Sequence, residues 1–324
     1  MIWGIGRKSH ASPIEFSSFE ELQVLWNHQD AFAWVDLEAP SADDLQRLDL
    51  LIDLDDQSLE DCLHGEPRAR IDEFDDCLLI VAYGVIAHEG SDEVEARKLT
   101  IFRGERFLVT IHSQPSRSVN ALRERCRKSP KQTLDQGFDR MLYRLIDGMV
   151  DRYLTLIDLL EDDLDAYEER SFEMDGNDPY LQQATTIRRK LIDLRRLASA
   201  QRGLIDPLAD GDFDSMSTDL GQQFRVVRSH LTHAVERCEG MLDRLNAALQ
   251  NYNSSVAKRT NDVVRTLTVL TAVMMPMSVI AGVYGMNFPT WPGNDNPISF
   301  VAVTAVMVAV GLTMAALFRF WRWL

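Results

Sequence analysis

The alternation of apolar and polar residues divides the chain into regions, and the first of them predicts a mixed domain. Within residues 1–128, short apolar runs rich in β-branched residues predict strands, with helical stretches between the first two runs. The predicted strands cover residues 31–37, 77–86, 98–104 and 106–112. We therefore expect a cytosolic N-terminal α/β domain in a chain whose overall class is α+β.

From residue 129 the apolar positions recur every three or four residues, which predicts long helices. Two antiparallel helical arms are expected over residues 129–216, with Gly176 and Pro179 marking the turn between them. The first arm ends in an acid-rich run, which indicates a solvated helix face or, alternatively, a cation-sensing surface. We expect these acids to pair with a basic cluster on the returning arm, formed by Arg188, Arg189, Lys190, Arg195 and Arg196.

A third helical pattern begins near Thr218 and meets no proline before Pro276. A single helix from there to Tyr284 would be roughly 100 Å long at about 1.5 Å per residue. Its first part, residues 217–265, is predicted to form a cytosolic stalk. Because an isolated helix of this length is marginal in water, the pattern indicates bundle packing or oligomerisation.

Two stretches near the C terminus contain no Asp, Glu, Lys, Arg or His. Each is about twenty residues long, which is the length that crosses the hydrocarbon core of a bilayer. They predict transmembrane helices at residues 266–286 and 298–318, joined by an external loop at 287–297. A buried helical hairpin in a soluble core is the alternative, but uncharged stretches of this length favour the membrane.

Basic residues flank both spans and indicate the orientation in the membrane. They are Lys258, Arg259 and Arg265 before the first span and Arg319 and Arg322 after the second. The positive-inside rule therefore places both termini in the cytoplasm, with residues 319–324 as a basic and aromatic tail. The N terminus shows no apolar signal-peptide core, so we expect a multi-pass protein of the inner membrane whose large N-terminal part is cytosolic.

Charge and cysteine content argue against several function classes. The net charge of −16 is unfavourable for binding nucleic acid. The four cysteines contain no C-x-x-C pair, which argues against a disulfide framework and a structural zinc site. No nucleophile with a companion base is evident, so the sequence does not predict an enzyme.

One face of the first span is mildly polar, which is unusual in lipid. At helical spacing this face contains Asn261, Val264, Thr268, Thr271, Met275, Ser278 and Gly282. Such residues face other helices or water, so the face either lines a pore or forms a tight helix contact through the small residues Ser278 and Gly282. Two helices cannot enclose a channel, so a pore would need several copies of the chain.

The segment YGMN, residues 284–287, stands at the outer end of the first of the two C-terminal spans. This position resembles that of the signature of the CorA family of divalent cation channels. Segments 59–81, 141–154 and 260–288 also resemble parts of that family, so the similarity extends over nearly the whole chain. The resemblance implies a homopentamer with a funnel-shaped cytosolic domain, a pore lined by the first span and an outer ring formed by the second.

The resemblance also implies a selectivity filter at Gly285, Met286 and Asn287. Mg²⁺ gives up its water reluctantly, so a ring of neutral Asn287 amides suits a hydrated ion, and Gly285 permits the turn that directs them inward. Below the filter, the implied pore-lining residues are Gly282, Ser278, Met275, Thr271, Leu267, Val264 and Asn261, with Met275 and Leu267 as hydrophobic constrictions. No prosthetic group is expected.

The chain departs from the family pattern in two places. Many members carry MPEL in the outer loop, whereas Asp295 is the only acid in this loop. In the family, an aspartate in the LED segment and one on a neighbour's stalk helix bind regulatory Mg²⁺. Asp61 matches the first, but the stalk position is Val226, which cannot bind a metal ion. His230 and His233 lie three residues apart on the stalk and could share a metal, although no third ligand is evident.

We therefore predict a channel that moves hydrated divalent cations down their electrochemical gradient, Mg²⁺ foremost with Co²⁺ and Ni²⁺ in addition. Its partners would be further copies of itself and the lipid bilayer. A zinc-transporting relative that carries Zn²⁺ is one alternative. A membrane-anchored cytosolic sensor or scaffold is another, from a different class.

Overall fold

The structure is a computed structural model that describes residues 1–9, 11–52, 54, 69–74, 76–87, 93–170, 178–213, 216–286 and 297–321. The chain divides into two compact units. The first contains Met1–Arg170 and Asn177–Ala247, and the second contains Ala248–Leu324. Each unit is described by itself.

Seven strands and eight helices lie in the described ranges. The strands are β1 (Ile2–Lys8), β2 (Ile14–Phe16), β3 (Ala31–Glu38), β4 (Arg70–Glu73), β5 (Cys77–Ala87), β6 (Val94–Gly104) and β7 (Phe107–His112). The helices are α1 (Phe19–Trp26), α2 (Ala42–Ile52), α3 (Arg117–Lys128), α4 (Pro130–Asp135), α5 (Gly137–Arg170), α6 (Asp178–Asp210), α7 (Thr218–Tyr284) and α8 (Pro297–Phe320). The α+β class expected from the sequence is confirmed.

The seven strands form one mixed sheet in the order β2-β1-β3-β7-β6-β5-β4. All neighbouring strands are antiparallel except β3 and β7, which run parallel. The apolar side chains of α1 and α2 pack on one face with alternate residues of the central strands, among them Val35, Val109 and Leu79. The other face is covered as well, since β7 is buried at all six positions and β3 at six of its eight, which explains the nearly continuous apolar runs in their sequences.

Serine caps set where the two helices on this face begin. The Ser18 hydroxyl accepts a hydrogen bond from the backbone N–H of Glu21 (3.2 Å), and the Glu21 carboxylate accepts one from the N–H of Ser17 (2.8 Å). Ser41 and Asp44 repeat this arrangement at the start of α2. These reciprocal bonds satisfy donors that a helix leaves free in its first turn.

The helical arms attach to the sheet at Tyr83 of β5. Strand β4 ends opposite Val81, so the backbone groups of Tyr83 lie beyond its reach. The buried Gln201 side chain of α6 accepts from the N–H of Tyr83 (3.1 Å), and the hydroxyl of Tyr153 in α5 donates to its carbonyl (2.7 Å). Both backbone groups thus gain partners inside the fold, as buried peptide groups require.

A polar network lies on the other face of the sheet around Asp36, whose side chain is fully buried. Arg123 of α3 forms an ion pair with Asp36. The Thr110 hydroxyl donates to Asp36 Oδ1 (2.5 Å), and His112 Nε2 lies 3.2 Å from the same oxygen. His112 Nδ1 lies 2.7 Å from the carbonyl oxygen of Gln114, so both ring nitrogens face acceptors. Burial lowers the pKa of His112, but the hydrogen bond and charge of Asp36 outweigh this effect and raise it above its ordinary value.

We predict that His112 makes the stability of the first unit depend on pH. A group whose pKa is raised on folding stabilises the fold below its unfolded pKa, and this contribution is lost as the pH rises through the folded pKa. The destabilisation caused by His112→Gln should therefore be larger at pH 5.5 than at pH 8.5, measured as the unfolding midpoint of the full-length protein in detergent. An equal loss at both pH values would contradict a charged His112.

Ion pairs join α5 to the part of α7 that lies in the first unit. Arg237 pairs with Asp158 (2.7 Å) and with Glu161. Arg244 pairs with Asp165 (2.5 Å) and with Glu168 (2.6 Å). Burial lowers the pKa of Arg237, but the hydrogen bonds to Glu161 and Asp158 outweigh this effect and raise it. The hydrogen bonds to Glu168 and Asp165 likewise raise the pKa of Arg244.

The sequence-based pairing of these acids with the basic cluster on α6 is wrong for the described residues. Arg189, Arg195 and Arg196 instead pair with Glu93 (3.9 Å), Glu239 (3.7 Å) and Asp193 (3.5 Å). The true partners, Arg237 and Arg244, lie more than seventy residues further along the chain, and a contact at that separation leaves no local pattern in the sequence.

The second unit consists of the later part of α7 and α8. The prediction of one continuous helix from Thr218 to Tyr284 is confirmed, with Pro276 inside it. Both helices are long and apolar enough to cross a membrane. Only 6% of the most apolar part of α7, and 0% of that of α8, is buried within the chain. A soluble hairpin core would bury these side chains, so this alternative does not fit the structure.

Candidate functional site

The span of α7 has one covered stripe, and the rest of its surface is exposed. From residue 265 to the end of the helix, the covered positions are Arg265, Val269, Ala272, Val273, Pro276, Met277 and Ile280. Their spacing of three and four residues places them on one face. Helix α8 lies against this stripe at Gly311. A Cβ atom at this glycine would stand 3.4 Å from the sulfur of Met277, which is ordinary van der Waals contact.

The residues predicted to line a pore all lie outside this stripe. Each is exposed, with Leu267 at 61% and Met275 at 67%. The exposed set is Asn261, Val264, Leu267, Thr268, Thr271, Met275, Ser278 and Gly282. The mildly polar face of α7 is thus not covered by the second span of the same chain. That this face lines a pore remains a prediction.

The hydroxyl groups on this face donate to the backbone of their own helix. Thr268 donates to the Val264 carbonyl (2.8 Å), and Thr271 donates to the Leu267 carbonyl (2.8 Å). Ser278 donates to the carbonyl of Met274 (2.9 Å). No hydroxyl proton is therefore left unpaired in an apolar setting, while each oxygen keeps lone pairs that can accept from the water around a hydrated ion.

Only part of the predicted filter can be described. After α7 ends, the Gly285 N–H donates to the Ala281 carbonyl (2.9 Å), and the side chain of Met286 is half exposed. A Cβ at Gly285 would lie 3.1 Å from the Ala281 oxygen, and glycine avoids this contact without adopting a positive φ. Asn287 and the loop acid Asp295 lie outside the described residues.

Only one of the two predicted regulatory positions lies among the described residues. Asp61 also lies outside the described residues. Val226 lies on α7 with about half of its side chain exposed. An aliphatic side chain offers no ligand atom, so the stalk position contributes nothing to a metal site here.

Instead, the structure assembles a three-residue cluster that the sequence analysis only half identified. The carboxylates of Asp147 and Asp151 on α5 and the imidazole of His230 on α7 place one ligand atom each within 4.8 Å of one another. His230 Nδ1 is buried and has no hydrogen-bond partner among the described residues. The second histidine considered, His233, is exposed and does not join the cluster.

The electrostatics of this cluster favour a cation. Burial is the main cause that raises the pKa of Asp147, and the nearby charge of Asp151 raises it further. The Tyr143 hydroxyl and the neighbouring His230 oppose this rise only in part. A divalent ion between the two carboxylates would remove their repulsion, and imidazole together with carboxylate suits Zn²⁺, Co²⁺ or Ni²⁺ better than Mg²⁺. The spacing of the two aspartates by four residues on one helix was the sequence signal for this site.

Comparison with known protein families shows to which family the chain belongs. Residues 29–320 match the family model described as the CorA-like Mg²⁺ transporter protein. The chain belongs to the CorA family. Members of this family are ion transporters rather than enzymes, and the two apolar C-terminal helices fit transmembrane segments of such a transporter.

Named relatives of the chain differ in the ion that their names specify. The cobalt/magnesium transport protein CorA of Thermotoga maritima is 27% identical over 82% of this chain and 76% of its own length. The zinc transport protein ZntB of Yersinia enterocolitica is 22% identical over 99% of this chain and 94% of its own length. The comparisons therefore support divalent cation transport and leave the ion open.

A solved structure supports the fold over the whole CorA chain. The complete CorA magnesium transporter of Methanocaldococcus jannaschii superimposes with a TM-score of 0.83 at 20% identity. The match covers 98% of this chain and 97% of the other. An N-terminal α/β domain, a long helix and two C-terminal apolar helices are thus the architecture of a CorA chain.

Proposed function

We propose that this CorA chain forms a homopentameric channel that carries Mg²⁺ across the inner membrane, with Co²⁺ and Ni²⁺ as further permeant ions. The exposed polar face of α7, which leads to the YGMN segment, is the observation that carries the proposal. Each chain supplies one such face, and its second span covers the opposite side of the helix. Several copies can therefore enclose an aqueous path with α7 inside and α8 outside.

The proposed path treats the ion as a hydrated particle. The amide oxygens of an Asn287 ring accept hydrogen bonds from the water shell of Mg²⁺, which the ion gives up reluctantly. Further down, the hydroxyl oxygens of Thr268, Thr271 and Ser278 offer similar acceptors. Met275 and Leu267 form apolar rings, and such rings can close a pore by excluding water.

The membrane potential supplies the driving force. Both termini lie in the cytoplasm in this proposal, so an inside-negative potential pulls cations inward. Moving a double charge through 100 mV is worth about 4.6 kcal/mol, and no nucleotide hydrolysis is needed. The fixed negative charge of the cytosolic part adds to this attraction.

In this proposal a cytosolic metal ion controls the channel by binding to Asp147, Asp151 and His230. This cluster takes the place of the regulatory site whose stalk aspartate is replaced by Val226 in this chain. The cluster joins α5 to α7, which is the same helix that continues into the span. Metal binding would favour one arrangement of these two helices. This gives a cytosolic ion a direct mechanical connection to the pore.

Zinc transport remains the second candidate within the family, because the ZntB relative is similar along 99% of this chain and the cytosolic cluster contains a histidine.

We expect liposomes that contain the purified protein to take up Mg²⁺ under an inside-negative potential, with or without a pH gradient. Uptake of Zn²⁺ alone, or uptake that requires a proton gradient, would contradict the magnesium proposal. No uptake of any divalent ion would favour a membrane-anchored sensor or scaffold.

A further inference from the structure

A cavity of about 50 Å³ lies in the first unit, and the described residues that line it include none from α7. It is bounded by the β5–β6 hairpin, the start of α3 and the middle of α5. This volume is the space open to the centre of a water-sized sphere, and one water molecule needs about 10–15 Å³ of it. The cavity therefore has room for several water molecules or for one tetrahedral oxyanion. The glycines at positions 84 and 148 line it and leave this space open.

The cavity is lined by cations in a chain that is strongly acidic overall. Arg97, Lys98, Arg117 and Arg152 come from three different elements or their ends and converge on it. The described residues that line the cavity include no aspartate or glutamate. Cationic side chains that line one cavity repel one another, and an anion bound between them would be attracted to each of them.

Two of these arginines each have a side-chain donor with no acceptor in the part of the chain that the structure describes. The Nε atoms of Arg97 and Arg152 are buried and lack a hydrogen-bond partner among the described residues. Arg97 does contact Glu95 through a terminal nitrogen, but at 3.3 Å and near the surface. A buried charged donor without a partner is costly, whereas an oxyanion offers several acceptors that suit the planar guanidinium.

The first turn of α3 adds backbone donors to the same cavity. Its N-cap residue, Ser116, does not cap the helix with its side chain. The Ser116 hydroxyl instead lies 3.1 Å from the Ser118 hydroxyl. The first turn contains no acidic residue, so the positive end of the helix dipole is not neutralised locally. Free N–H groups at a helix start bind phosphate and similar anions.

We propose that this cavity binds a phosphate group, either as inorganic phosphate or as the terminal group of a small cytosolic phosphate monoester. Arg97 and Arg152 contact its oxygens from the sheet and from α5, and the start of α3 completes the donor set. A dianion is favoured over chloride because it offers acceptors in several directions to several cations. The residues that line this cavity include none of the predicted pore face and none of Asp147, Asp151 and His230.

The test is titration calorimetry on the full-length protein in detergent, with sodium phosphate as the probe and sodium chloride of equal ionic strength as the reference. The variants are Arg97→Gln, Arg152→Gln and Arg117→Gln. The matched control is Arg125→Gln, because Arg125 is exposed in the last turn of the same helix α3 and does not line the cavity. Unfolding midpoints without phosphate show whether each variant is folded.

We expect saturable phosphate binding by the parent and by Arg125→Gln, and binding at least tenfold weaker in Arg97→Gln and Arg152→Gln. If either of these variants fails to fold, the exposed Arg117→Gln decides, and it should also weaken binding. The proposal is overturned if the parent shows no saturable binding. Equal binding by the cavity variants and the control would overturn it as well.

A second arm separates the two sources of the phosphate group. Adenosine monophosphate is titrated beside inorganic phosphate under the same conditions. Tighter binding of the nucleotide assigns the cavity to an organic monoester, whereas exclusion of the nucleotide assigns it to inorganic phosphate. Either result supports a phosphate site, provided that the arginine variants weaken it.

Discussion

Asn287→Ala is expected to abolish divalent cation uptake while leaving the assembled protein intact. The substitution removes the amide oxygens that the proposed filter presents to the hydrated ion, and alanine offers no acceptor in their place. We expect the rate of Mg²⁺ uptake into liposomes to fall at least tenfold. The elution volume of the complex in size-exclusion chromatography should not change.

The control for this substitution is Asn246→Ala. Asn246 is an exposed asparagine on the same helix α7, but it lies in the first unit and outside the predicted pore face. This variant should transport at the rate of the parent. If Asn287→Ala retains normal uptake, then the spans serve to anchor the cytosolic portion and the channel proposal fails.

The second large effect is expected at the cytosolic cluster. His230→Ala removes one of three ligands and should weaken Co²⁺ or Zn²⁺ binding to the full-length protein at least tenfold, measured by equilibrium dialysis. His233→Ala is the matched control, since His233 lies on the same helix but outside the cluster. Identical losses in both variants, or no loss in either, would show that the cluster does not bind the metal.

The raised pKa of Asp147 provides a further test of the same cluster. The pKa of Asp147 is raised by burial and by Asp151, so its ionised form is unfavourable in the metal-free fold. Asp147→Asn should therefore stabilise the metal-free protein at pH 8 and remove the stabilisation that added Co²⁺ gives to the parent. Thermal unfolding with and without Co²⁺ measures both effects. A destabilised metal-free variant would mean that the charge of Asp147 is needed by the fold itself.

The elements with the strongest periodic patterns were predictable from the sequence. Four apolar runs coincide closely with β3, β5, β6 and β7, and the long uninterrupted pattern from Thr218 to Tyr284 is one helix. Burial on both faces gives β3 and β7 their continuous apolar runs, and burial along one face gives the long helix its period of three to four residues. Strands β1, β2 and β4 were not predicted, because they lie toward the edges of the sheet and are short or interrupted by glycine.

The site was predictable only where it lies on one continuous helix. The polar face of α7 could be identified from spacing alone, since all its residues share one helix. The covered stripe that separates this face from α8 needed the packing of two helices to become visible. The Asp147, Asp151 and His230 cluster and the Arg237 and Arg244 ion pairs join residues about eighty positions apart, and local patterns do not encode such contacts.

The most direct test of the central claim is the mass of the full-length complex released from lipid nanodiscs and measured by native mass spectrometry. Because one chain contributes a single helix to the proposed pore wall, the account predicts one dominant species that contains five copies of the chain. A protein that remains monomeric or dimeric in the bilayer could not enclose an aqueous path with the exposed face of α7, and this result would contradict the account.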